Sequence, residues 1–91
     1  MSLIQVQAST VTASHVSADV VVSDGKKSRE YWLFVTGNYV TVIAKVSGYN
    51  PRRNMGKTFH TTEDMVKNYK RDGETLREVV ASLNAMRLDV A

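Results

Sequence analysis

The stretch from Glu30 to Val46, broken only at Gly37-Asn38, constrains the fold of this chain more than any other feature. Before the break Tyr31, Leu33 and Val35 alternate with Glu30, Trp32 and Phe34. After it Val40, Val42, Ala44 and Val46 alternate with Tyr39, Thr41, Ile43 and Lys45. Successive side chains of a strand point to opposite faces, so each half reads as a strand with one apolar side. A two-residue loop folds them into a hairpin, pairing Val35 with Val40, Leu33 with Val42 and Tyr31 with Ala44. Upstream, Val16, Ala18, Val20 and Val22 alternate in the same way and end at Asp24-Gly25-Lys26-Lys27, a set of turn formers. A four-residue loop there pairs Val22 with Arg29, Val20 with Tyr31, Ala18 with Leu33 and Val16 with Val35. Both registers collect the same apolar set on one face, and a slip of one residue in either would scatter it. Ile4, Val6 and Ala8 supply a short first strand, giving a four-stranded antiparallel meander.

The second face of this sheet carries Ser17, Asp19, Glu30, Trp32, Phe34, Tyr39, Thr41, Ile43 and Lys45, with Glu30 opposite Lys45 as a favourable cross-strand pair. Trp32, Phe34 and Ile43 stand where water would normally sit. A helix or an N-terminal arm could cover them. A second protomer could bury them, at about 2 kcal/mol for each side chain. Unpaired bases could stack on them, at roughly 1–3 kcal/mol per base.

Beyond the sheet, Ser47 to Gly56 ("SGYNPRRNMG") has the composition of a loop. Lys57-Thr58-Phe59-His60 adds a short extended piece. Thr61 then offers an N-cap, with Asp64 as a weak capping-box partner. Met65, Val66 and Tyr69 mark a helical face, Asp72-Gly73 interrupts it, and Leu76, Val79, Val80, Leu83 and Met86 resume the period. The expected fold is therefore α+β: a four-stranded antiparallel β-meander followed by a kinked C-terminal helix or two short helices. Residues 1–91 form one domain, with strands over about 3–46, a loop over 47–56 and a helical region over about 61–88. The second helix is expected to cover the sheet. The narrower alternative packs the part beyond Gly73 against a second copy.

At 43% hydrophobic with a single proline, the composition is that of a globular domain. A core built from 91 residues is modest, and a homodimer is a common remedy. The absence of cysteine excludes disulfides, thiolate metal sites and a cysteine nucleophile, and it fits a reducing compartment. No segment reaches the roughly 18 unbroken apolar residues of a membrane span. No charged-then-apolar leader opens the chain. A soluble, cytoplasmic protein is the expectation.

Catalytic constellations are missing from the sequence. "MGKT" at 55–58 invites comparison with a phosphate-binding loop, but that motif needs glycine where Pro51 stands, and proline has no amide hydrogen. His15 and His60 lack ligand partners at helical spacing and read as ordinary surface or strand-end histidines. Glu63-Asp64 reads as favourable charge at a helix N-terminus, since neighbours in sequence diverge on a helix. The serines and threonines lie mostly in strands with no base patterned near them. The expectation is a protein that is not an enzyme and needs no metal and no small-molecule cofactor.

The net charge is +3, unevenly spread. Residues 1–57 carry Lys26, Lys27, Arg29, Lys45, Arg52, Arg53 and Lys57 against three acids, whereas residues 58–91 carry a net −1. A basic excess among strands and loops suits a polyanion partner, and as plain solubility charge it is equally ordinary.

From "VTVIAKVSGYNPRRNMGKTFHTTEDMVKNYK" onward the order of features resembles the positive cofactor four family of single-stranded nucleic-acid-binding coactivators and its compact bacterial relatives. The resemblance rests on four antiparallel strands, then Met55-Gly56-Lys57, a short extended step, Thr61 or Thr62 with Glu63, and an apolar helix face from Met65. It covers about the last two-thirds of the chain. The second helix is longer than the compact relatives need, and the valine-rich second strand is less basic than a dedicated DNA ridge. The resemblance implies a homodimer that binds single-stranded DNA or RNA through aromatic and basic side chains, as a transcription or replication accessory factor. The residues expected to do so are Trp32 and Phe34, stacking on bases, and Lys26, Lys27, Arg29, Lys45, Arg52, Arg53 and Lys57, contacting phosphates. The alternative is a homo-oligomeric protein-interaction module with no nucleic-acid ligand.

Overall fold

A computed structural model describes residues 3–25, 27–45 and 56–90 of the chain. Strands β1 (Leu3–Val11), β2 (His15–Ser23), β3 (Ser28–Thr36), β4 (Val40–Lys45) and β5 (Lys57–Phe59) precede helices α1 (Thr62–Asn68) and α2 (Gly73–Val90). The strands form one antiparallel sheet in the order β1-β2-β3-β4-β5. The α+β class and the meander are as expected. The short extended piece after the loop becomes a fifth strand, with Val40 opposite Phe59 and Thr41 opposite Thr58. Val46 and most of the expected loop, residues 47–55, lie outside the described residues.

Both loop-derived registers hold residue for residue. Val35 faces Val40, Leu33 faces Val42 and Tyr31 faces Ala44. Val22 faces Arg29, Val20 faces Tyr31, Ala18 faces Leu33 and Val16 faces Val35. The β2–β3 turn uses Gly25 at φ 95°, the left-handed region that glycine enters without penalty. The β3–β4 turn has no such residue. The Thr36 hydroxyl closes it instead, accepting from the Asn38 and Tyr39 amides, each at 3.1 Å. Such side-chain-to-backbone bonds let a threonine shape a turn without positive φ.

The apolar face meets the helices. Val16, Ala18, Val20, Val22, Leu33, Val35, Val40 and Val42 pack with Met65, Leu76, Val79, Val80 and Leu83 into one buried cluster. Leu33, Met65, Leu76 and Val42 are completely inaccessible. The Thr61 side chain caps α1 by accepting from the Asp64 amide at 3.2 Å. The interruption before Gly73 is a turn between two helices that meet closely. A Cβ built on Gly73 would stand 2.6 Å from the Val66 carbonyl oxygen and 2.8 Å from the Val66 Cα. Glycine is thus required for close approach of α2 to α1, in a backbone whose φ is ordinary.

One edge is less covered than its pattern predicts. Ile4 and Val6 sit opposite the buried Val22 and Val20, on the core side of β1. They are nonetheless 44% and 46% exposed, because α2 reaches only part of the way over this strand.

Candidate functional site

Trp32 and Phe34 occupy successive outward positions of β3, on the face opposite the buried cluster. No described helix covers them; Met65, Leu76, Val79, Val80 and Leu83 all pack against the other side. Their rings stack with centroids 5.8 Å apart and 26° between planes. Phe34 takes two further ring neighbours: His15 stacks on it at 4.8 Å and 24°, and Tyr39 at 6.4 Å and 26°. Ile43 flanks Trp32 from β4. These side chains are partly exposed. Around it lie short polar groups: Ser17, hydrogen-bonded to Ser9, and Thr41, hydrogen-bonded to Thr58 at 2.9 Å. His15, read from sequence as an ordinary strand-end histidine, belongs to the row. Its odd-numbered place with Ser17 and Asp19 was the available signal.

The cations divide differently from expectation. Lys45 is on the aromatic face, and its Nζ crosses β3 to reach Asp19 Oδ1 at 2.7 Å rather than settling on Glu30 opposite. Lys27 is exposed at the β2–β3 turn. Lys57 pairs with Val42 in the ladder, which turns it to the helix side, where its Nζ lies 3.5 Å from Asn68 Oδ1. Lys26, Arg52 and Arg53 lie outside the described residues.

Arg29 needs correcting as a phosphate contact. Opposite Val22 in register, it projects to the helix side, away from Trp32. Its Nε and Nη2 donate to the two Asp72 carboxylate oxygens at 2.7 and 2.8 Å, and its Nη1 donates to Asp24 at 2.9 Å. The Tyr31 hydroxyl donates to the same Asp72 carboxylate. Asp72 is buried, with all its oxygens satisfied. The Arg29 hydrogen bonds hold its carboxyl below the usual value of 3.8, against an opposing push from burial. The same bonds raise the Arg29 pKa further, and burial followed by the Asp72 contact raises that of Tyr31. A guanidinium held in this fork serves the fold, not a ligand.

A second concavity adjoins the aromatic row. A cleft of about 310 Å³ opens at the hairpin end of the sheet, between the Thr36–Tyr39 turn, the residues leading from Phe59 to Thr62, and one side of α2. Arg77, Asn84 and Arg87 line it from α2, and Tyr39 joins it to the stacked rings. Sequence reading passed over these helix residues, although their spacing of seven and three residues places them along one side of a helix. Among the described residues no cluster of three acidic or histidine side chains suits a metal ion, and no helix is long and apolar enough to cross a membrane. No family model matches this chain, and no curated protein or solved structure matches it either.

Proposed function

We propose that this chain binds single-stranded nucleic acid on the helix-free face of its sheet, as a homodimer and without a catalytic step. The observation that carries this is the Trp32–Phe34 stack: two partly exposed rings, 5.8 Å apart, on successive outward positions of a central strand. Every base has a flat π-face, so such a platform takes unpaired bases without regard to sequence. Sheets that bind single strands use aromatic residues in this way. The net charge of +3 favours a polyanion, and Lys45 stands at the margin of the face. Trp32 is the sole tryptophan, so its fluorescence reports on the platform alone. Titration with a short oligonucleotide at low salt should quench it, and the affinity should fall steeply as salt rises through counterion release. Absence of quenching at low salt sinks the proposal.

A second reading has its own observation. The described charges on the aromatic face are Asp19, Glu30 and Lys45, a net −1, and Lys45 is already paired with Asp19. A face of that character fits a protein partner, and a homo-oligomeric interaction module without nucleic acid follows. Light scattering separates the two. Trp32→Ala breaks the dimer if the aromatic face is the contact between protomers, and leaves it whole if the dimer forms elsewhere.

A surface for such a dimer lies elsewhere. β1 is an edge strand of nine residues with no charged side chain, and charge is a common device for blocking edge pairing. Ile4 and Val6 line a groove with Val79, Leu83 and Met86 of α2. A second copy of the same uncharged strand, pairing antiparallel about a two-fold axis, extends the sheet and covers that groove.

A further inference from the structure

Among the described residues, the cleft at the hairpin end is lined by two arginines and by no acidic residue. Arg87 donates from Nε and Nη2 to Asn84 Oδ1 at 3.1 and 3.0 Å, and from Nη1 to the Ala13 carbonyl at 3.1 Å. A guanidinium has five N–H groups, so two remain for a ligand. All the acceptors that hold it are neutral, and among the described residues no carboxylate lies within ion-pair distance of it. Its charge is therefore positioned but not neutralised, in contrast to Arg29, whose fork is filled by Asp72. Arg77 forms a weak surface pair with the exposed Glu74, at 3.3 Å. His60, Thr62 and Asn84 add polar side chains to the same walls.

This cleft is also where the aromatic row ends. Tyr39 lines it and stacks on Phe34, which stacks on Trp32. The face that carries the rings is short of positive charge, and the adjoining cleft supplies it.

We infer that the Arg77–Arg87 cleft is a phosphate-binding site, and that it takes a phosphate of the strand whose bases stack on Phe34 and Trp32. Arg87 keeps two N–H groups for charge-assisted hydrogen bonds that suit phosphate oxygens, and Arg77, ten residues earlier on the same helix, adds a second positive charge to the cleft. The identity of the bound strand rests on the proposed function; the anion site does not.

The test uses the full chain and three probes: inorganic phosphate, an oligothymidine with a 5′-phosphate, and the same oligothymidine without one. Arginine Nε–H signals and the Trp32 indole signal are followed by NMR. Inorganic phosphate is expected to shift the Arg77 and Arg87 signals saturably and leave Trp32 in place. Arg77→Gln, at a partly exposed position away from the core, should weaken phosphate binding about tenfold, a change of about 1.4 kcal/mol. Arg77→Lys should recover part of the loss. Arg87→Gln removes the tie to Ala13 as well, so its folding is checked by circular dichroism and Arg77→Gln carries the result. For the oligonucleotides, an equal loss with both on Arg77→Gln assigns the site to a backbone phosphodiester. A loss confined to the 5′-phosphorylated one assigns it to a terminal phosphate. Saturable phosphate shifts with no oligonucleotide binding keep the anion site and remove the nucleic acid. Trp32 quenching by oligonucleotide with no phosphate response at Arg77 or Arg87, and no effect of Arg77→Gln, overturns the cleft and leaves the stacking platform standing.

Discussion

Arg29 and Asp72, forty-three residues apart, are joined by two parallel hydrogen bonds of 2.7 and 2.8 Å between guanidinium and carboxylate. Their fork ties the third strand to the turn between the helices, and the Tyr31 hydroxyl completes it. A buried carboxylate must have its oxygens satisfied or be protonated, so this arrangement explains why an aspartate is tolerated beside the core.

The first prediction is an acid sensitivity centred on Asp72. Its folded-state pKa is depressed below the ordinary 3.8, chiefly by the Arg29 hydrogen bonds. A depressed carboxyl binds fewer protons when folded than when unfolded. Its contribution to stability is thus present in full above the unfolded pKa of about 3.9 and is lost as pH falls through the folded value. Asp72→Asn should lower stability at neutral pH by roughly 1.5–3 kcal/mol, the worth of hydrogen bonds to a charged group, and should flatten the acid limb of the stability curve. Thermal unfolding of both proteins from about pH 7 down to about pH 2 checks it. An unchanged acid limb refutes the assignment.

Gly73→Ala should destabilise the protein by about 1–3 kcal/mol, although alanine is the better helix former. The added methyl meets Val66 backbone atoms at 2.6 and 2.8 Å, which cannot swing aside as a side chain would. Urea unfolding measures the difference. A neutral or stabilising outcome means that α1 and α2 are further apart than described.

Trp32→Ala should weaken oligonucleotide binding by about 1–3 kcal/mol, roughly 5- to 150-fold, while the far-ultraviolet spectrum stays unchanged. The ring is partly exposed on the face away from the core cluster, so its loss removes a platform and leaves the interior intact. Equal affinities for the two proteins, measured by anisotropy of a labelled strand, rule out stacking there.

If the proposed dimer pairs through β1, Val6→Lys should convert it to a monomer. Val6 is 46% exposed in the groove between β1 and α2, and a lysine there sets two like charges against each other across a two-fold axis. Light scattering reads the mass directly. A variant that stays dimeric moves the interface away from this edge.

The sheet was legible because its information is local. Period-two alternation assigns each residue a side, and two short loops lock neighbouring strands into register, so the pairs from Val16–Val35 to Tyr31–Ala44 follow from the chain itself. The outward placement of Trp32, Phe34 and Ile43 follows from the same rule. Thr61 as an N-cap was equally local, since the bond it accepts comes from Asp64. Arg29 shows where that logic stops. Charge alone made it a phosphate contact, and parity placed it on the same side as Tyr31 and Leu33. Only an aspartate brought back by the helices explains what it does there.

What the sequence by itself determined, then, is the register of the strands and the face on which the aromatic residues emerge, because both depend on spacings of a few residues. The tertiary structure alone decided that Arg29 belongs to Asp72, that Ile4 and Val6 stay in reach of solvent, and that Arg77 and Arg87 meet Tyr39 in one cleft. Those outcomes depend on where α2 comes to rest on the sheet, and that is settled by the packing of Leu76, Val79, Val80 and Leu83 and by the close contact at Gly73, which no local periodicity encodes.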